Sequence, residues 1–133
     1  MTHGATGRPR AIGGFEIVFL AAMLLYPLVI AAGLPAGGRF APFADGVLLG
    51  AMIVAQLTAM FFVARRRRAW ARWLICALLL LDFAMYPALL SEAAFESSAF
   101  IALSLLQFLL HCTAVFLLFT PSASRWLSQS ARA

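Results

Sequence analysis

Residues 46–64, GVLLGAMIVAQLTAMFFVA, contain no charged side chain, and Arg65, Arg66, Arg67 and Arg68 follow them directly. An α-helix needs about 20 mainly apolar residues to cross a hydrocarbon core about 30 Å thick, and this stretch has that length. Basic residues beside such a stretch favour the cytoplasmic side of the membrane. The stretch therefore predicts a membrane-spanning helix whose carboxyl end lies in the cytoplasm.

Three further apolar runs of similar length predict three more spans. We place the four spans at about residues 15–34, 46–64, 70–90 and 98–120, with tails over 1–14 and 121–133. The links between the runs are short, so each helix is expected to lie antiparallel beside the next. The predicted fold is all-α: a single membrane domain, residues 1–133, built as a four-transmembrane-helix up-down-up-down bundle.

Composition agrees with a membrane protein and argues against a nucleic-acid-binding one. Hydrophobic residues make up 64% of the chain and charged residues 11%, whereas about a quarter of a soluble domain is charged. The net charge of +5 comes from arginines near the ends of the apolar runs rather than from a basic surface. We therefore expect the lipid bilayer, and no nucleic acid, as a partner.

The arginines also predict the orientation. With a cytoplasmic amino terminus, only Arg39 falls outside, and the cytoplasmic side receives Arg8, Arg10, Arg65, Arg66, Arg67, Arg68, Arg72, Arg125 and Arg132. This split follows the positive-inside rule, so both termini are predicted to be cytoplasmic. An alternative treats the first run as a secretory signal that is cleaved after Ala31-Ala32-Gly33, which would leave three spans.

Polar residues inside the runs are the candidate functional residues. A carboxylate near the bilayer centre costs at least a few kcal/mol, so Asp82 must face protein or water, or be protonated. Gln107 lies at about the same depth and is a candidate hydrogen-bond partner of Asp82. Gln56 and His111 form a second layer, and Glu16 is expected near the interface, where it pairs with Arg10 or the Arg65 block. These residues form either a proton or ion relay, or a set of hydrogen bonds that holds the helices together.

Small residues and prolines suggest how the helices pack. Gly46 and Gly50 lie on one face of the second span and allow close approach of another helix, inside the bundle or between protomers. Pro27 and Pro87 lie inside the first and third spans, where each lacks a helical N–H and predicts a kink. Because a four-helix bundle has little interior, we expect a homo-oligomer or assembly with other membrane subunits.

The chain contains no motif for a nucleotide, metal or haem, so we expect no cofactor and no enzymatic activity. The Arg65–Arg68 block is predicted to attract anionic lipid headgroups, at about 1 kcal/mol per basic residue.

The segment Arg10-Ala11-Ile12-Gly13-Gly14-Phe15, with Pro27 later in that span, resembles small four-span proteins of the bacterial inner membrane that have no known activity. The resemblance implies a multi-pass protein of that membrane. We expect an accessory or assembly subunit of a larger membrane complex; the alternative is a small oligomeric proton-coupled transporter or channel using Asp82.

Overall fold

The computed structural model describes residues 8–33, 43–92 and 98–129, except for the side chains of 33, 43–46, 85–92 and 129. Within these residues the chain is all-helical, as predicted, with no strand. The helices are α1 (Arg10–Gly33), α2 (Phe43–Ala64), α3 (Ala69–Glu92), α4 (Ser98–Leu118) and α5 (Pro121–Gln129). Arg39, Glu96, Arg132, residues 1–7 and 130–133 and most of the predicted links lie outside the described residues.

Three of the helices are long and apolar enough to cross a membrane. They cover Arg10–Ala32, Val47–Ala64 and Ser98–Leu118. The fourth predicted span corresponds to α3, which is 24 residues long and carries Asp82. The chain thus has the composition of an integral membrane protein, and a fourth crossing stays a prediction.

The four long helices pack as two close pairs, α1 with α4 and α2 with α3. Their shared core contains large side chains without solvent exposure, among them Phe15 and Phe19 of α1, Ile75 of α3 and Leu118 of α4. The outer surfaces are also apolar, as shown by Ile17, which is 72% exposed. Helices that are apolar on both the inner and the outer side suit a lipid surrounding.

Small residues are part of the contact between α1 and α4. Gly14 lies in this contact, where an added Cβ would stand 3.4 Å from Leu117 Cδ1 of α4, an ordinary van der Waals distance. Ala22 and Ala114 are also fully buried. Because no hydrophobic effect drives helices together in lipid, such close van der Waals packing is what holds a helix pair.

The helix between residues 121 and 129 differs from the sequence prediction, which assigned 121–133 to a tail. Pro121 has no N–H to donate to Leu117 O, so α4 ends at Leu118, and the Thr120 hydroxyl donates to that carbonyl at 2.8 Å. Pro121 then opens α5, because a proline is favoured at the first helical position. The first α5 bond runs from Ser124 N–H to Thr120 O at 2.9 Å.

The other helix boundaries differ from prediction by a few residues. The α1 helix begins at Arg10 rather than 15, because Ile12 and Gly13 both donate their N–H to Pro9 O. Helix α2 begins at Phe43 rather than 46. The backbone stays helical through Pro27 and Pro87, so neither proline ends its helix, and the predicted kinks stay predictions.

Candidate functional site

Each of the four long helices contributes at least one buried polar side chain to the interior of the bundle, and four of these lie close together. These are Tyr26 of α1, Gln56 of α2, Asp82 of α3 and His111 of α4, which we call the polar cluster. Gln56 and His111 have no solvent exposure, and Asp82 retains 8%. Since polar groups in a membrane-embedded interior are costly unless they find partners, the bonds within this cluster decide what it can do.

Tyr26 is the hub of the hydrogen bonds in the cluster. Its hydroxyl donates to Asp82 Oδ2, and Gln56 Nε2 donates to the Tyr26 hydroxyl oxygen at 3.5 Å. One phenol group therefore connects α1 to both α2 and α3. A buried carboxyl group that receives such a bond is less costly inside the bundle than an isolated one.

His111 lies among aromatic rings rather than among hydrogen-bond partners. Its ring centroid is 5.7 Å from that of Phe19, 6.2 Å from Tyr26 and 6.3 Å from Phe83. Among the described residues neither ring nitrogen has a hydrogen-bond partner, and the same is true of Gln56 Oε1. The imidazole thus adds an unused donor and acceptor next to the Tyr26–Asp82 pair.

A polar stripe continues along the inner face of α4. Ser104, Gln107 and His111 are separated by three and four residues, which places them on one helix face, and all three are buried. The stripe extends about 10 Å along the helix axis at 1.5 Å per residue. With the polar cluster it forms a polar region inside an otherwise apolar bundle.

The structure brings together three of the five polar residues singled out in the sequence, namely Gln56, Asp82 and His111. Gln107 lies on the same buried face of α4 as His111. Glu16 lies elsewhere, where its carboxylate is 2.5 Å from Arg8 Nη2 and 3.4 Å from Arg65 Nε. Its amino-terminal partner is therefore Arg8 rather than Arg10.

Sequence reasoning missed Tyr26 as the partner of Asp82. A depth count contains the signal: Tyr26 lies about 24 Å beyond the start of α1 and Asp82 about 20 Å beyond the start of α3. Side chains of a helix lean toward its amino end, which brings the phenol oxygen back toward the level of the carboxyl group. From the sequence, only Pro27, the residue that follows, was considered.

A second polar region lies where α1 and α3 begin and α2 and α4 end, and we call this the arginine end. The predicted headgroup residues Arg65, Arg66, Arg67 and Arg68 are all exposed there. The Arg67 guanidinium carbon lies 4.6 Å from the centroid of Trp126, a largely buried side chain of α5. Among the described residues, Arg65 contacts Glu16 and Arg67 contacts Trp126.

The predicted glycine contact lies on the outer surface. At Gly50 an added Cβ would meet no heavy atom within 4 Å, and the neighbouring Val47 and Val54 are more than half exposed. The surroundings of Gly46 lie outside the described residues. Gly50 is therefore not used for packing among the described residues.

Within the described residues no group of three His, Cys, Asp or Glu side chains is placed to hold a metal ion. The side chains of the polar cluster are capable of hydrogen bonding and proton exchange, and those of the arginine end are capable of anion binding. No family model, curated protein or solved structure matches the chain. The features so far define a helical protein with three helices fit to cross a membrane.

Proposed function

We propose that the chain is a non-enzymatic accessory or assembly subunit of a larger membrane complex, located in the bacterial inner membrane. In this proposal α1 to α4 all cross the bilayer, and both termini are cytoplasmic. The exposed arginines at one end of the bundle support that orientation. The 24-residue length of α3 is sufficient for the fourth crossing.

The observation that carries the proposal is the open face of α2 at Gly50. Nothing in the described chain occupies the space above this glycine, although α2 packs against α3 on its other side. A helix backbone approaches most closely where the opposing residue has no side chain. The face therefore fits a transmembrane helix of another polypeptide, which is how an accessory subunit binds its complex.

The interior supports a structural role for Asp82. The Tyr26 hydroxyl supplies a hydrogen bond to Asp82 within the chain, so Asp82 does not need a partner chain for that bond. We infer that the polar cluster holds the bundle together, while partner contact occurs on the outer face. The expected partners are a second copy of this chain or other membrane subunits.

Purification in a mild detergent tests the proposal. We expect the wild-type protein to be recovered with a stoichiometric partner or as a homo-oligomer, and Gly50→Leu to lose that partner because a bulky side chain blocks close approach. Gly13→Leu is a matched control, since Gly13 also has open space around it but lies on α1. A wild-type monomer, or equal recovery of the partner with both variants, would overturn the proposal.

A second candidate is a small oligomeric transporter or channel in which Asp82 carries a proton. It is favoured by the unpartnered nitrogens of His111 and by Gln56 Oε1, which lie in the same buried region. Intramembrane ionisable residues often mark proton paths. Reconstituted wild-type protein should then pass protons, Asp82→Asn should abolish the flux, and Glu16→Gln should leave it intact. Absent flux in wild-type vesicles excludes this candidate.

A further inference from the structure

Arg72 has an unusual setting at the arginine end. It is the fourth residue of α3, and its guanidinium carbon lies 5.6 Å from the Trp73 ring centroid and 5.2 Å from that of Phe119, the residue after α4. Its Nη1 donates to Ser124 Oγ of α5 over a long 3.4 Å. Its Nε is buried without a hydrogen-bond partner among the described residues.

The positive charge of Arg72 has no negative neighbour in the described part of the chain. Glu16, the acidic side chain at this end, pairs with Arg8 and Arg65 instead. Asp82 is ten residues further along α3, about 15 Å away at 1.5 Å per residue. This half-buried guanidinium contacts one neutral hydroxyl and two aromatic rings, and these groups do not neutralise its charge.

The surroundings of Arg72 are open on the lipid-facing side. Trp73 is 61% exposed and Phe119 38% exposed, and their rings meet edge to face at 5.2 Å. Exposed aromatic side chains at a helix end suit the interface between headgroups and acyl chains. Ser124, in the first turn of α5, lies beside the guanidinium and accepts its hydrogen bond.

We propose that Arg72, Trp73, Phe119 and Ser124 form a binding site for the phosphate group of one anionic phospholipid of the inner leaflet. Nε is buried, so the terminal nitrogens Nη1 and Nη2 donate to the phosphate oxygens; Nη1 uses the N–H that does not bond to Ser124. The two rings pack against the glycerol and upper acyl region. This site differs from the exposed Arg65–Arg68 block, which attracts headgroups through charge alone. The inference rests on the membrane placement given above, but not on the accessory role.

Native mass spectrometry of the intact protein with added phosphatidylglycerol tests the site. Arg72→Gln should bind the lipid about tenfold more weakly than wild type, the loss expected for a charge-assisted bond. Arg125→Gln removes the same charge from exposed α5 surface and should bind like wild type. Arg72→Lys keeps the charge without the planar fork and should fall between the two. Equal binding by Arg72→Gln and Arg125→Gln would overturn the proposal.

Two further measurements identify the ligand, and one of them uses the unaltered protein so that misfolding of a variant cannot affect the result. Inorganic phosphate at millimolar concentration should not displace the lipid; displacement would mean a free-anion site and contradict a lipid site. With the unaltered protein, brominated phosphatidylglycerol should quench tryptophan fluorescence more than brominated phosphatidylcholine at equal mole fraction, whereas equal quenching counts against the site. Release of the protein by alkaline carbonate would instead contradict the membrane placement itself.

Discussion

Tyr26 connects more of the bundle than any other single polar side chain in the described residues. Its hydroxyl donates to Asp82 on α3 and accepts from Gln56 on α2, while its ring faces His111 on α4. Removal of that one oxygen leaves a buried carboxyl oxygen without its donor and a buried amide without its acceptor. A single atom therefore links three of the four long helices, α1, α2 and α3.

Tyr26→Phe should lower the free energy of unfolding by about 0.5–2 kcal/mol, because hydrogen bonds between membrane helices are worth roughly that amount. Unfolding of the purified protein by sodium dodecyl sulfate in mixed micelles measures the change. Thr58→Val is the control, since the exposed Thr58 hydroxyl bonds only to Val54 O of its own helix. Equal stability of the two variants would contradict the proposed role of Tyr26.

A double-mutant cycle assigns the energy to the pair. If Tyr26 and Asp82 interact directly, the combined variant Tyr26→Phe with Asp82→Asn should lose less stability than the sum of the two single losses. Strict additivity within about 0.3 kcal/mol would mean that the two residues act independently.

At the level of residues, the sequence indicated which polar side chains face inward but not how they pair. Gln56, Asp82 and His111 were expected inside because exposure to lipid is costly for each of them. Tyrosine has no such constraint, since its ring is comfortable in lipid, at an interface or in a core. Pairing also depends on the rotation of each helix, and helices that are apolar all round carry no stripe that reveals it.

At the level of elements, α5 shows where the sequence prediction failed. A search for apolar runs of about 20 residues passes over Pro121–Gln129, which is short and partly polar. Yet Ala123, Trp126 and Leu127 recur at helical spacing, and all three are buried against the bundle. The pattern that identifies a short amphipathic helix was present, and Pro121 marks its beginning.

Leu127 is the residue by which we expect α5 to be held. Leu127→Ala should cost about 2 kcal/mol or more of local stability, since the side chain is 1% exposed. Hydrogen–deuterium exchange of the α5 amides should then become about 30-fold faster. Arg125→Ala, which shortens an exposed side chain of the same helix, should leave exchange nearly unchanged. Equal acceleration in both variants would show that the apolar face does not hold α5.

At the level of the whole molecule, charge and length predicted the helical fold, and the structure adds which helices form close pairs. The short links between the predicted spans indicated only that helices consecutive in the sequence lie side by side. The α2–α3 pair agrees with that expectation, whereas the more extensive pair, α1 with α4, joins helices that are far apart in the sequence. Gly14 lies on the face of α1 that contacts Leu117 of α4, whereas its neighbour Gly13 has open space around it.

The proposed orientation predicts that both ends of the chain are cytoplasmic. Fusion of green fluorescent protein to the carboxyl terminus should give fluorescent cells, because this protein folds in the cytoplasm. Fusion of alkaline phosphatase at the same place should be inactive, because that enzyme needs the oxidising periplasm for its disulfides. The same two proteins fused to the amino terminus should give the same results, a fluorescent green fluorescent protein and an inactive phosphatase. Active phosphatase at either end would exclude four spans with cytoplasmic termini.

The pairing of α1 with α4 has a consequence for synthesis on the ribosome. The partner of the first helix is the last long helix to be translated, with residues 34–97 between them. When α1 leaves the translocon, the glycine and alanine surface that later contacts α4 is exposed to lipid. The Tyr26 hydroxyl has no Asp82 to bond to until α3 has been inserted. The hairpin of α2 and α3 can close as it emerges, but the bundle is completed only after Leu118 has been added. Truncated nascent chains should therefore be the forms that membrane quality-control proteases recognise.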